Sequence, residues 1–355
     1  MHAMTWPSNK PAWRVIVLQH LHDDAETTSD QDMVERLDVA FLAHHAIADG
    51  ISGLAFHTSL AKNLPDISAT TSAPTWPMTF KERLDAPPAV EECFDCLSCA
   101  CSLCKPSAAV HQPAWAGAGV SAESTASFKT LVRVVTIPAH RLSEILQSCK
   151  RHGVTLTGLL HALICTSLCR IISEDYAGFR AVTPFSVRRH TKTPDEEIVN
   201  HISFLTSNVP RAQLTEIERC EPGSASETRS IIRLAESFSR DIATQVREFP
   251  HGGMVTQLSR IPDLVSYCRD QSGKQRQYTY ELSNLGPTSG VSPPTGSGLR
   301  LEKVLFTQCG MVAGPAMGFN CVSVRGGTLT ISITWQRGVV EEPLVEQVAR
   351  DLERI

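Results

Sequence analysis

Between Leu37 and Asn63 the apolar residues change from every second position to helical spacing, and that switch constrains the fold more than any other stretch. Val39, Phe41, Ala43 and His45 alternate with Asp38, Ala40, Leu42 and His44, the pattern of a strand with two unlike faces. The adjacent histidines are therefore expected to point opposite ways at the strand end. Ile51, Leu54, Ala55, Leu60 and Leu64 then recur at helical spacing until Asn63-Leu64-Pro65 stops them. Asp49-Gly50 falls where strand turns into helix. Asp49 is expected to cap the helix amides or to pair with an arginine behind the turn. Arg14, on the neighbouring strand Trp13 to Leu18, is the candidate arginine. Gly50 is read as allowing a backbone conformation that a side chain would resist.

A histidine on a tight turn suits general-base chemistry. Neutral His45 could take the proton from an alcohol or amine as that group attacks an acyl carbon, with no covalent enzyme intermediate. The same residues also fit two partly buried polar side chains beside an ordinary helix cap, and taken alone they leave both readings open. The full pattern His44-His45-x-x-x-Asp49-Gly50 resembles the signature of the chloramphenicol-acetyltransferase-like superfamily, which holds condensation domains, plant-type acyltransferases and fungal-type alcohol acetyltransferases. Pro11 to Leu18 and Ile51 to Leu60 look most like the alcohol acetyltransferase branch, and the plant-type Asp-Phe-Gly-Trp-Gly motif is missing from the sequence.

The resemblance implies a two-lobed α/β fold of mixed sheets flanked by helices, with a channel between the lobes. It implies acetyl-CoA or another acyl-CoA as co-substrate and no metal. In Tyr278-Thr-Tyr-Glu-Leu-Ser-Asn-Leu-Gly286, a similar Ser-Asn-Leu-Gly stretch marks where the lobes meet, so Ser283 and Asn284 are candidate donors to a developing oxyanion. Gln308 and Trp335 are candidates for the channel wall, although an aromatic strand residue such as Trp335 is more often core. The Arg188-Arg189 and Asn200 neighbourhood also resembles the superfamily's second lobe. Family members carry a longer segment before the histidine motif, so the first lobe is expected to be incomplete.

Of 355 residues, 42% are hydrophobic and 20% charged, which fits a globular chain of two domains or one two-lobed body. The expected division is a partial first lobe over 1–105, a linker rich in Ala, Ser, Gly and Pro over 106–127, and a second lobe over 128–355. A net charge of -4 gives no reason to expect nucleic acid as partner. Met1 to Pro11 lacks an apolar run, and Leu159 to Leu168 is too short and too polar to span a bilayer, so a cytoplasmic location is expected. Five of 12 cysteines crowd between Cys93 and Cys104, at spacings that admit either a metal site or one face of an apolar helix. The helix face is the reading adopted, with cysteine as a small hydrophobe and no metal expected.

After Phe128, strands are expected at Leu131 to Ile137, Phe179 to Val187, Ile198 to Leu205, Leu301 to Gln308 and in a hairpin turning at Gly326-Gly327. Helices are expected after Pro138, with Leu142, Ile145, Leu146 and Cys149 on one face, from Thr155 to Ile172, from Ser226 to Phe249, and from Glu341-Glu342-Pro343 onward. Three functional readings follow. The first is an acyl-CoA-dependent O-acyltransferase, passing acetyl to a small alcohol or hydroxylated metabolite with His45 as base. The second is a condensation-type domain that draws its acyl group from a carrier protein. The third is a truncated, non-catalytic homologue.

Overall fold

The computed structural model describes residues 6–7, 9–21, 34–63, 113–121, 126–249, 263–288 and 301–355. The cysteine cluster at 93–104 lies outside them. Strands β1 (Trp13–Leu21) and β2 (Val34–Ala43) form an antiparallel ribbon with Trp13 opposite Ala43 and Val17 opposite Val39. The chain then turns through 44–49 into helix α1 (Gly50–Asn63). Phe41 stacks on Phe56 at 4.5 Å and fastens the helix to the ribbon.

The larger body starts with β3 (Thr130–Ile137), α2 (Ala139–His152), α3 (Leu156–Ile171) and β4 (Gly178–Ser186). It continues with α4 (Arg188–Thr191), β5 (Ile202–Pro210), α5 (Arg211–Glu218), α6 (Ala225–Glu248) and α7 (Leu264–Arg269). Strands β6 (Tyr280–Thr288), β7 (Met317–Val324) and β8 (Leu329–Gln336) and helix α8 (Glu342–Glu353) complete it. Its six strands lie in the order β3-β8-β7-β6-β4-β5, with β6 parallel to both neighbours and every other pair antiparallel.

Local chemistry accounts for the helix ends. Thr155 caps α3 by accepting from the Gly158 amide at 3.0 Å, Ser224 caps α6 through the Glu227 amide, and Gly153 ends α2 in the left-handed region at φ 65°. A Cβ on Gly158 would sit 2.8 Å from the Ala235 carbonyl, so glycine lets α3 and α6 cross in contact.

The sheet has two unlike faces. Tyr280, Leu282, Phe319, Cys321, Ile331, Ile333 and Trp335 share one apolar core with Leu160, Ile164 and Leu168 of α3, Phe238 of α6 and Val345 and Val348 of α8. Glu281, Ser283, Asn320, Ser332, Thr334 and Gln336 occupy the alternate positions and are buried too. Residues 301–314 cross this polar side.

Three expectations change against the structure. The strand expected from Ile198 begins at Ile202, because the backbone of Val199 and His201 bonds to the histidine turn instead of to a neighbouring strand. Leu301 to Gln308 is irregular: the Val304 and Phe306 carbonyls accept from the Thr330 and Ser332 hydroxyls, so side chains take the place of a ladder. Leu146 is exposed on α2, while Leu142 and Cys149 are buried. Trp335 lies in the helix-side core at 5% exposure, where an aromatic strand residue is most often found. Within the stretch read as a linker, Trp115, Ala118 and Val120 donate backbone hydrogen bonds to Gly178, Val339 and Lys274, fixing 113–121 to the larger body. Among the described residues no single helix is long and apolar enough to cross a membrane.

Candidate active site

The histidine turn is held from both sides of the chain. Strand β2 ends at Ala43, and the His44 amide still pairs with the Ala12 carbonyl at 2.8 Å. His44 then turns outward, its Nδ1 accepting from the Ala46 amide at 3.1 Å. His45 folds back so that its Nδ1 lies 3.0 Å from the Ala48 carbonyl. A carbonyl only accepts, so Nδ1 carries the hydrogen and the basic lone pair falls on Nε2. The Asn200 amide donates to the His45 carbonyl at 2.6 Å and fixes the turn from the larger body.

Asp49 fills both roles open to it. Its Oδ1 accepts from the Ser52 amide at 2.8 Å, the N-cap bond of α1, and from Arg188 Nη2 at 2.9 Å. Its Oδ2 accepts from the His201 amide at 3.1 Å. Arg188, 2% exposed, also donates to the Pro194 and Glu197 carbonyls and to Ser52 Oγ. The aspartate and guanidinium thus form a buried, multiply bonded pair that joins α1 to the segment after β4.

Arg14 is not the partner of Asp49: it lies over the Trp6 ring, 5.6 Å from its centroid. The pairing arginine is 139 positions from Asp49, a separation that local pattern cannot bridge. Gly50 also has a reason other than the one expected. No positive φ is needed there; a Cβ would stand 2.4 Å from Leu285 Cδ2, so glycine admits close docking of α1 on β6.

That docking fixes which β6 residues face the histidine. Leu285 faces α1, so Glu281 and Ser283 share its side by strand alternation. Ser283 is buried, and its hydroxyl has no hydrogen-bond partner among the described residues. Asn284 turns the other way: its amide donates to Thr157 Oγ1 at 3.1 Å and its carbonyl accepts from the Gly286 amide at 2.9 Å. Of the two oxyanion candidates, only Ser283 faces the histidine side. Gln308 reaches the same polar face, with Nε2 donating to Glu281 Oε1 at 3.0 Å and to Asn320 Oδ1 at 2.9 Å. Ser52, Arg188, Asn200 and Glu281 are the polar residues here that pattern reading left without roles. The structure thus brings together a histidine on a turn, a buried ion pair behind it and a buried serine on the facing strand.

Residues 2–348 match the alcohol acetyltransferase family (AATase), and the chain belongs to that family. It is 28% identical to the probable alcohol acetyltransferase FCK4 of Fusarium pseudograminearum, over 98% of this chain and 72% of that protein. It is 25% identical to the probable alcohol acetyltransferase crmB of Aspergillus fumigatus, over 95% of this chain and 70% of that protein. Among solved structures, the TRI3 trichothecene 15-O-acetyltransferase of Fusarium sporotrichioides superposes with a TM-score of 0.64 at 14% identity, over 96% of this chain and 69% of that one. The α/β fold is therefore that of this acetyltransferase group.

Proposed function

We propose that the chain is an acyl-CoA-dependent O-acetyltransferase in which His45 Nε2 is the general base and a small alcohol or hydroxylated metabolite is the acceptor. The observation that carries this reading is the contact of His45 Nδ1 with the Ala48 carbonyl, which leaves Nε2 free to accept a proton. His45 takes the hydroxyl proton as the acceptor oxygen attacks the thioester carbonyl. A C–O bond forms, and Ser283 Oγ donates to the resulting oxyanion. The C–S bond then breaks, and the imidazolium returns the proton to the leaving thiolate. Asp49, Gly50 and Arg188 hold the turn without touching the substrate. Family membership supports acyl-CoA as donor, and a two-lobed arrangement with the division near 106–127 belongs to the same proposal.

The test is release of free thiol from acetyl-CoA in the presence of an alcohol panel, with His45→Ala as control. Release that depends on both alcohol and histidine supports the reading. Equal release from both folded proteins overturns it. Turnover of free acetyl-CoA would also count against dependence on a carrier protein.

A further inference from the structure

Glu281 is a buried carboxylate that this mechanism leaves unused. At 8% exposure it pairs with no lysine or arginine among the described residues, and only Gln308 donates to it, at Oε1. Burial raises its pKa, which the Gln308 hydrogen bond and the charge of His45 oppose. Gln308 is itself held by Asn320, whose amide donates to the Ser332 carbonyl at 3.0 Å, so the carboxylate is fixed in direction. A carboxylate buried without a cation is costly, and a fold gains nothing by keeping one where an amide would serve Gln308 equally well.

Its position gives the group a use. Glu281 lies two residues before Ser283 on the same side of β6, close enough to His45 for their charges to interact, yet no ion pair joins them. A gap thus separates base and carboxylate. The cavity bounded by Glu281, Gln308, Met311, Gly318, Asn320 and Thr334 is about 10 Å³, no larger than one water. On the Gln308 side there is therefore no room for a substrate beside the carboxylate.

We propose that Glu281 binds the acceptor, its second oxygen accepting a hydrogen bond from an O–H or N–H group alongside the hydroxyl that His45 deprotonates. The acceptor class is then a diol or amino alcohol rather than a simple monohydric alcohol. This inference rests on the acetyltransferase reading above.

An isosteric acceptor set tests it: n-propanol, ethylene glycol and ethanolamine, each with acetyl-CoA, following ester formation by mass. The wild-type protein is expected to favour one or both of the bifunctional acceptors in kcat/KM by at least about tenfold, the range of a hydrogen bond to a charged group. Glu281→Gln, which keeps an oxygen for Gln308 to bond, is expected to erase that ratio. Glu281→Asp, which keeps the charge but shortens its reach, is expected to reduce it. No wild-type preference overturns the proposal without any variant. An equal loss for all three acceptors in both variants, with a lowered Tm, also overturns it and assigns Glu281 a structural role. Failure of the underlying reading is distinct: wild-type and His45→Ala proteins would then release equal thiol whatever the acceptor.

Discussion

The two faces of the larger sheet bury side chains of opposite chemistry on the same strands. Under α3, α6 and α8 the core is apolar, and its buried histidine is closed: His161 lies 3.0 Å from the Tyr280 hydroxyl and 2.9 Å from Thr183 Oγ1, and stacks on Phe238. Burial holds the His161 pKa down to about 3 and pushes the Cys165 thiol up to about 12, so both stay neutral. On the other face Asn320 and Ser332 are closed by bonds to backbone carbonyls, while Ser283 is buried with its hydroxyl unused and Glu281 has one oxygen bonded. Closed polar groups stabilise a fold. On the proposed mechanism Ser283 and Glu281 are left open for the substrate.

If that distinction is right, substitutions on the two sides should fail in different assays. His45→Ala is expected to lose about two to four orders of magnitude in turnover with little change in Tm, read by thiol release and thermal unfolding. A matching drop in stability would erase the contrast. Arg188→Met is expected to remove about 3–5 kcal/mol, because Asp49 stays buried without its cation, and activity should fall with the misplaced turn. Urea unfolding measures the first effect and residual turnover the second.

His161→Leu belongs to the other side and should cost about 2–3 kcal/mol by leaving the Thr183 hydroxyl unpaired and the Tyr280 hydroxyl with Cys165 alone, while turnover per folded molecule is kept. The same residue gives a pH signature. Its folded pKa of about 3 lies below the ordinary histidine value of 6.5, so the unfolded chain binds the proton first as pH falls. Stability from this group is complete above about pH 6.5 and declines towards pH 3, and His161→Leu should flatten that part of the curve. The smallest expected effect is at Asn200: alanine there frees the His45 carbonyl and should lower kcat by about tenfold or less, with KM unchanged. Rescue by Asn200→Gln would show that position, and not mere packing, is what the amide supplies.

Periodic elements were legible in the sequence because each is determined within one turn or one strand. The span of α1, the capped starts of α3 and α6, and the β7–β8 hairpin at Gly326 are all local facts. The strand–turn–helix at His45 was legible for the same reason. Features set across the chain were not. Arg188 displaced Arg14 because the partner is chosen by packing, and the delayed start of β5 follows from Val199 and His201 bonding backward to the turn. Asn284 could not be separated from Ser283 in advance: alternation reveals two sides of a strand but not which side holds the helices.

The joint between Asp49 and Arg188 has a kinetic consequence. Residues 139 positions apart must meet before the histidine turn is locked, and the intervening chain must close a long loop to bring them together. The ribbon that carries His45 leaves the ribosome before β4 and Arg188 have been made. The histidine turn is thus set in place by later parts of the chain, and on the proposed mechanism activity would mark that folding has finished.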